Sequence, residues 1–228
     1  MHLIALRRYP VKSMGGERLG AVEIDARGLV GDRWFAVEDS SGHFASGKDT
    51  RRFRRRDAVF SYTAKTRPDG AVSVTGPAGA WTAGSTELDT QLGVDMGAPV
   101  RVVPERSVPH QDAGAFSLVG TATLQWCADQ WGIDADPRRL RVNAVVATTE
   151  PFIEESWLGK ALSLGPVALN VVSRTPRCRM VDIAQDGFTP GDRLLKRLGA
   201  ERDLALGVYA DVTRPGLIRV GDRVTVLD

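Results

Sequence analysis

Turn signals recur about every ten residues along this chain, and that spacing constrains the fold more than any other feature of the sequence. Short runs of β-forming residues lie between the turns, as at Leu19 to Asp25, Arg33 to Glu38 and Ala71 to Thr75. Pro68-Asp69-Gly70 has the composition of a hairpin turn between antiparallel neighbours. The sequence therefore predicts antiparallel β-structure rather than repeated β-α-β units.

The remaining elements are predicted from the same signals and from helical periodicity. Further strands are expected at His2 to Arg8, Val59 to Thr66, Pro99 to Val103, Phe116 to Val119, Arg141 to Ala147, Leu162 to Leu164, Val167 to Val172 and Leu204 to Val212, with a closing hairpin at Gly216 to Leu227. Helices are expected at Thr86 to Leu92, at Thr121 to Trp131 with Thr121 as cap and Gly132 as end, after Asp136-Pro137, and at Asp192 to Arg202. Loops are expected at Pro77 to Gly84 and Glu154 to Trp157.

These elements define the predicted fold class, which is mostly β (α+β) with two β-barrel-like units and a few helical insertions. The character of the chain changes near residue 104, where charged and glycine-containing loops begin. We therefore expect one domain over residues 1–104 and a second over residues 105–228.

The composition narrows the class of protein. The chain has 228 residues, of which 43% are hydrophobic and 25% charged, as in ordinary folded proteins. A formal net charge of +2 gives no general attraction for nucleic acid, so an anionic small molecule is the better partner. No apolar run approaches the ~20 residues that cross a bilayer. We expect a cytoplasmic protein with no membrane partner.

The two cysteines have different surroundings. Cys127 lies on the apolar face of a predicted helix and is expected in the core. Cys178 follows an apolar strand that Thr175 and Pro176 are expected to end, and Arg174, Arg177 and Arg179 flank it. Nearby cations favour the thiolate that binds metals or attacks electrophiles. The alternative is a buried cysteine that acts as a small hydrophobe, with the arginines in solvent.

Other site chemistries find little support. His2, His43 and His110 are scattered, and no cysteine pair has the spacing of a zinc site. A P-loop and a dinucleotide-binding glycine pattern are both absent from the sequence. The remaining inventory is one thiol with basic residues at predicted turns, namely Lys12, Arg33, Arg52 and Arg141. It suits a large anionic cofactor held by charge-assisted hydrogen bonds and tethered once through sulfur.

The most basic stretch runs from Phe44 to Asp57 and reads FASGKDTRRFRRRD. One interpretation is contact with phosphate or nucleic acid. The other, which we favour for Arg54 to Arg56, is a solvated loop whose arginine stems lie on the core.

Six short motifs occur in a fixed order over nearly the whole chain. They are YPVKS at Tyr9 to Ser13, Gly31-Asp32-Arg33-Trp34, Arg141-Val142-Asn143, Glu155-Ser156-Trp157, Pro176-Arg177-Cys178, and Ile218 to Asp222. Together they resemble the molybdenum cofactor sulfurase C-terminal (MOSC) domain family, with its N-terminal β-barrel domain.

The resemblance implies a molybdenum-pyranopterin cofactor and a role for each matching residue. In the family's reductases, which include the mitochondrial amidoxime-reducing component and bacterial relatives, the cysteine ligates molybdenum. Cys178 is therefore expected to be the metal ligand and catalytic residue. The residues expected to hold the cofactor are Lys12, Ser13, Arg33, Arg141, Asn143 and Arg177.

The implied activity is reduction of an N-oxygenated small molecule. The alternatives are a sulfur carrier, in which Cys178 bears a persulfide, and a non-catalytic cofactor-binding protein. The chain departs from the reductase pattern at Ser46 to Arg52, Pro176, Val181 and Asp182, which places the differences on the substrate side of the site.

Such a reductase must be supplied with electrons. Two cysteines cannot hold a cluster that takes ~4 of them, and neither a flavin nor a nicotinamide fingerprint is visible. A separate flavin or iron–sulfur protein is therefore the expected donor, with the Phe44 to Arg56 stretch as its docking surface near the metal.

Overall fold

The computed structural model describes residues 1–227, which form mostly strands with a few short helices. The strands are β1 (Leu3–Arg8), β2 (Glu17–Leu19), β3 (Ala21–Asp25), β4 (Gly28–Leu29), β5 (Phe35–Asp39), β6 (Phe44–Ser46), β7 (Phe53–Arg55), β8 (Thr63–Thr66), β9 (Val72–Gly76), β10 (Gly79–Thr82), β11 (Val100–Pro104), β12 (Phe116–Gly120), β13 (Ala144–Val146), β14 (Ala161–Leu164), β15 (Val167–Pro176), β16 (Ala205–Arg214), β17 (Gly216–Arg219) and β18 (Val224–Leu227). The α-helices are α1 (Thr86–Met96), α2 (Thr121–Trp131), α3 (Pro137–Leu140) and α4 (Leu194–Glu201). Short 3₁₀ turns lie at Asp57–Ser61, Ile153–Trp157 and Arg179–Asp182. The predicted mostly β, α+β class is confirmed.

The largest sheet has eight strands in the order β18-β14-β15-β16-β12-β13-β1-β2. Its inner face packs the main apolar core, which includes Leu6, Phe116 and Leu169. A single bridge between His2 and Arg223 brings the start of β1 beside the start of β18. The sheet thus curls round its core, although no sheet within residues 1–227 is a fully closed barrel.

Three smaller sheets complete the structure, in the orders β11-β5-β6-β7, β10-β9-β8 and β17-β3-β4. The first two enclose a second core around Val59, Tyr62 and Val74. Helix α1 covers this core with Leu88 and Leu92, both fully buried. Ser85 caps the helix, since its side chain accepts a hydrogen bond from the Leu88 amide.

The first four strands join the two predicted domains. β1 and β2 belong to the eight-stranded sheet, and β3 pairs with β17 near the end of the chain. Residues 1–29 therefore complete sheets built by the second half of the chain. A domain boundary near residue 104 stays a prediction.

The predicted closing hairpin is wrong. β17 pairs with β3, whereas β18 pairs with β14, so the two strands diverge after the turn at Gly221. The local sequence has the composition of a hairpin, but each strand finds an apolar face to complete in a different sheet.

Three further local predictions are corrected. The segment from Pro77 to Gly84 contains β10 rather than a loop, and Glu154 to Trp157 is a 3₁₀ turn. The predicted strand from Val59 begins as a 3₁₀ turn, from which Val59 and Phe60 enter the core, and extends only from Thr63. At Val59 and Phe60, a β-branched and an aromatic residue therefore indicate burial rather than backbone type.

The strand before Cys178 ends at Pro176, as predicted, although it extends beyond the expected Val172. β15 runs through Pro176, which lies opposite Ala205 across a register shift. Irregular pairing accommodates a residue without an amide hydrogen. Cys178 follows directly and precedes the 3₁₀ turn at Arg179–Asp182, so its predicted place after a strand is confirmed.

The helix predictions hold for α2 and α3 with one change at a cap. Gly120 rather than Thr121 is the N-cap of α2, since Thr121 exchanges hydrogen bonds with Thr148. Cys127 has no exposed surface, which confirms it as a core residue. Asp136 caps α3 through the Arg138 amide, at 2.7 Å. Among the helices of residues 1–227, none has the length and apolar composition that crossing a membrane requires.

Candidate functional site

A basic pocket lies where residues from the two halves of the chain meet. It encloses about 590 Å³ of space, part of it open to solvent. Six of the seven predicted site residues line it: Lys12, Ser13, Arg33, Arg141, Arg177 and Cys178. The structure thus brings together residues that are far apart in the sequence.

Three of the lining residues have a left-handed backbone. The φ angles are 68° at Ser13, 53° at Arg33 and 53° at Arg141. Residues with a Cβ atom adopt this region at a cost, and such positions concentrate at functional sites. Arg141 is the C-cap of α3, whereas Ser13 and Arg33 lie in loops between strands, and all three side chains line the pocket.

Lys12 is the buried cation at one end of the pocket. Its Nζ donates to the His110 carbonyl at 2.7 Å and to Asp112 Oδ1 at 2.9 Å. Burial lowers the pKa of Lys12 to about 8, against the opposing effect of the Asp112 carboxylate. Lys12 therefore exchanges its proton much closer to neutral pH than an exposed lysine does.

Arg33 has a buried carboxylate as its partner. Its Nη1 donates to Asp32, and its Nη2 donates to the Arg141 carbonyl at 3.0 Å. Burial opposes the charged form, but Asp32 outweighs burial and raises the pKa of Arg33. Asp32 also accepts from the Tyr9 amide at 2.8 Å, which fixes it below the guanidinium.

Arg141 and Arg177 differ from Arg33 because only neutral acceptors contact them. Arg141 Nη1 donates to Gln185 Oε1 at 3.2 Å, and its buried Nη2 has no partner. Arg177 donates to the Leu206 carbonyl at 2.9 Å and the Leu140 carbonyl at 2.6 Å. Burial lowers the pKa of each guanidinium to about 10, so both stay charged at neutral pH. Their charges are free to attract an anion.

Cys178 is partly exposed beside these cations. Of its three flanking arginines, only Arg177 lines the pocket. Arg174 turns away and pairs with Glu155 at 3.3 Å, so the expectation that all three surround the thiol is corrected. Arg179 pairs with Asp57 at 2.6 Å and links the cysteine segment to the first half of the chain.

Asn143 is the predicted cofactor-binding residue that does not line the pocket. Its Oδ1 accepts from the Ser117 amide at 3.1 Å and the Ser117 hydroxyl at 2.9 Å. Its Nδ2 donates to the Arg7 carbonyl at 3.3 Å. Asn143 thus holds β12 and β1 together beneath the pocket.

Several site residues were missed by the sequence reasoning. Asp112 reaches the pocket from a loop and supplies a carboxylate to Lys12. Tyr209 lines the pocket from β16, and burial raises the pKa of its phenol. Arg139 also reaches the lining from α3, with a fully buried side chain that pairs with Asp182 and Asp192. The alternation of apolar and polar residues along β16 could have placed Tyr209 on one face of the sheet. No pattern in the sequence marks Asp112 or Arg139.

The donor set fits a large anion with one sulfur tether. The unpartnered Arg141 Nη2 and the two uncompensated guanidiniums call for an anionic acceptor. Within residues 1–227, no group of three or more His, Cys, Asp or Glu side chains could hold a metal ion by itself. A metal at Cys178 would therefore need most of its ligands from a cofactor.

The fold and the pocket together define a mostly β protein equipped to bind a large anion. The chain belongs to the MOSC domain family: residues 105–225 match the MOSC domain, and residues 1–92 match the MOSC N-terminal beta barrel domain. MOSC domains are associated with binding of the molybdenum cofactor.

Comparisons with individual proteins add little. None of the curated proteins matches the chain. Among solved structures, the YUAD protein from Bacillus subtilis is 16% identical, with coverage of 98% of this chain and 94% of that chain and a TM-score of 0.49. YiiM from Geobacillus stearothermophilus is 13% identical, with coverage of 74% of each chain and a TM-score of 0.41. Neither likeness is close enough to support an argument about function.

Proposed function

We propose that this protein binds the molybdenum cofactor in the basic pocket, with Cys178 as the protein ligand of molybdenum, and reduces N-oxygenated small molecules. The observation that carries the proposal is the pocket itself. Six residues selected from sequence motifs line one cavity, and two of its arginines lack a counter-charge.

The binding role of the chain follows from its charges. Arg141 and Arg177 attract the phosphate and other polar groups of the pyranopterin through charge-assisted hydrogen bonds. Lys12 adds a third cation when protonated, and its partner Asp112 has a half-exposed side chain that can yield to a stronger anion. Arg33 stays paired with Asp32 and shapes the pocket by holding the Arg141 carbonyl.

The bound cofactor supplies two-electron chemistry at a metal that soft sulfur ligands suit. Release of the substrate oxygen as water also takes two protons. The Tyr209 hydroxyl keeps its proton at neutral pH, because burial raises its pKa, and it lies in the same pocket as Cys178. Tyr209 is thus placed to donate a hydrogen bond to the departing oxygen, while solvent supplies the two protons.

The residues that depart from the reductase pattern meet beside the cysteine. Ser46 Oγ lies 3.9 Å from Met180 Sδ, and the Gly47 carbonyl accepts from Arg179 at 3.1 Å. Pro176 lines the pocket directly. These positions form the substrate side of the pocket in our proposal and set which N-oxygenated compounds can enter.

The decisive experiment measures molybdenum and pterin in the full chain produced by a host that makes the cofactor. We expect molybdenum and pterin in equal amounts, with molybdenum lost from Cys178→Ser. Cys127→Ala is the matched control, because the core thiol contacts no cofactor. Protein that contains neither component after such production would refute the proposal.

A second candidate is a sulfur carrier with a persulfide on Cys178. The partial exposure of this thiol, in contrast to the buried Cys127, favours it. Mass spectrometry of the freshly purified chain distinguishes the two candidates. Sulfane sulfur on Cys178 in the absence of molybdenum would support the carrier.

A further inference from the structure

Gln185 lies between the pocket and the segment that carries Cys178. It is 3% exposed, and it exchanges two backbone hydrogen bonds with Phe188, at 2.9 and 2.8 Å. These bonds close a tight turn after the 3₁₀ segment. These backbone hydrogen bonds therefore fix the point from which the Gln185 side chain extends.

The amide of Gln185 bonds in two directions. Its Nε2 donates to the Met180 carbonyl at 2.6 Å, and its Oε1 accepts from Arg141 Nη1 at 3.2 Å. Met180 is two residues after Cys178. One neutral side chain thus joins a pocket cation to the turn that positions the thiol.

The ring of Tyr9 holds the same guanidinium from another direction. The Arg141 Cζ atom lies 4.3 Å from the Tyr9 ring centroid. The hydrogen bond from Nη1 to Gln185 and the contact with the Tyr9 ring together restrict rotation of the Arg141 guanidinium. Nη2 remains the one terminal nitrogen of Arg141 without a partner.

Neutrality at this position matters because three other cations that line the pocket are paired with carboxylates, whereas Arg141, like Arg177, is not. Arg33, Arg139 and Lys12 each pair with a carboxylate. A carboxylate at residue 185 would cancel the charge of Arg141 in the same way. It would also repel the Met180 carbonyl, which would keep only the Ile183 amide, at 3.3 Å, as a donor.

We propose that Gln185 is a positioning residue for anion binding: it orients Arg141 toward the ligand, leaves its charge uncompensated, and couples it to the Cys178 turn. The inference rests on the proposed function only in treating the pocket as an anion site.

The test uses Cys178 as a reporter of local charge in the full chain without cofactor. Rates of alkylation by iodoacetate, which is anionic, and by iodoacetamide, which is neutral, are measured by mass spectrometry. The ratio of the iodoacetate rate to the iodoacetamide rate does not depend on the intrinsic reactivity of the thiol. It therefore reports how strongly the pocket attracts an anion. We expect Gln185→Glu to lower the ratio by about fivefold, the effect of one unit charge nearby.

A double-mutant cycle shows whether Gln185 acts through Arg141. Gln185→Met, which adds no charge, should lower the ratio in the wild-type background and have a much smaller effect in an Arg141→Gln background. Gln130→Glu, at an exposed position on α2, is the matched control for added charge and should leave the ratio unchanged. A folded Gln185→Glu protein with the wild-type ratio would overturn the proposal, as would an equal effect of Gln185→Met on the ratio in both backgrounds.

A second variant covers the case in which Gln185→Glu does not fold. Gln185→Met keeps the shape but removes all the side-chain amide hydrogen bonds, and we expect it to weaken sulfate binding by about fivefold in calorimetry. Wild-type sulfate affinity in this variant would contradict the role of Gln185. Because neither test involves molybdenum, their failure is distinguishable from a failure of the proposed function.

Discussion

Arg141 and Arg177 are charged groups in the interior whose hydrogen bonds go to amide and carbonyl oxygens rather than to carboxylates. Burial of a charge without a counter-ion costs free energy of folding. An anion that enters the pocket removes part of that cost and therefore stabilises the fold by mass action. The proposed affinity for anions and the free-energy cost of these buried charges therefore have the same origin.

Lys12 gives this pocket a pH dependence. The pKa of its ammonium is lowered to about 8 in the folded protein, from an ordinary value of 10.5. The folded state therefore loses this proton first, and stability rises with pH between these values while the cation is lost from the pocket. We expect sulfate affinity, measured by calorimetry, to fall as pH rises through about 8.

Lys12→Arg is the control, because arginine keeps its charge throughout this range. Both proteins contain Cys178, so any contribution from this residue is common to them. A fall of equal size in Lys12→Arg would show that Lys12 is not the group responsible.

The two cysteines should respond oppositely to substitution. Cys178→Ser should abolish reductase activity with little loss of stability, because the thiol is partly exposed at the pocket. Cys127→Ala should cost about 1 kcal/mol in the free energy of unfolding and retain activity. Activity assays and urea unfolding check both, and the reverse pattern would exclude Cys178 as the metal ligand.

At the scale of elements, α3 and the 3₁₀ turn after Cys178 are joined by one buried side chain. Arg139 Nη2 contacts Asp192 at 2.9 Å and Asp182 at 3.2 Å, and its Nε donates to the Val181 carbonyl at 2.7 Å. The 3₁₀ turn that follows Cys178 is therefore held in place by α3, which lies about 40 residues earlier in the chain.

Removal of this arginine should loosen the turn. We expect Arg139→Met to lower the free energy of unfolding by about 2 kcal/mol or more, since it breaks a buried ion pair. Arg138→Met is the matched control, because the neighbouring guanidinium is a third exposed and should cost under about 1 kcal/mol. Urea denaturation compares them, and equal losses would contradict this role of Arg139.

Elements that depend on local signals were predictable from the sequence. The cap at Asp136, the end of α2 at Gly132 and the turn at Pro68 to Gly70 each follow from the chemistry of a few neighbouring residues. The partner of β17 was not predictable, because that strand selects β3 from across the chain rather than its neighbour. Long-range pairing depends on which apolar face remains uncovered.

The site was predictable to a similar extent. Motif residues such as Lys12 and Arg177 were identified, because each lies in a short recognisable segment. Asn143 was assigned to the cofactor, yet its amide is used inside the fold. Asp112 and Gln185 act only through contacts that the folded chain creates, so no local pattern marks them.

At the scale of the whole molecule, the two halves share strands rather than meet as separate bodies. If the chain were divided at residue 104, the second half would lose β1 and β2 from its eight-stranded sheet, and β17 would lose its partner β3. The pocket also needs both halves, since Lys12 and Arg33 come from the first half and Arg141 and Cys178 from the second. Integrity of the fold and assembly of the site therefore depend on each other.

The proposed reductase needs an external supply of electrons. We expect no turnover with NADH or NADPH alone, and turnover with a reduced low-potential dye or a suitable flavin or iron–sulfur partner. The surface proposed for docking includes exposed Arg51, Arg54 and Arg55. Turnover with the protein partner should fall as salt rises, because such encounters are electrostatically steered.

Charge reversal tests this surface. Arg54→Glu together with Arg55→Glu should slow turnover with the partner but not with the dye. Arg219→Glu, at an exposed position in β17, is the control. Robust activity with NADPH and no partner, or rates insensitive to both salt and charge reversal, would refute the proposal.

The left-handed residues of the pocket have a consequence for how this protein can change. Glycine would adopt the backbone of Ser13, Arg33 or Arg141 with less strain, but it would remove the side chain that the pocket uses. Selection for thermal stability alone would discard these residues, and selection for ligand binding retains them. Stability and ligand binding therefore oppose each other at these positions, because a glycine variant would relieve backbone strain and lose a side chain of the pocket.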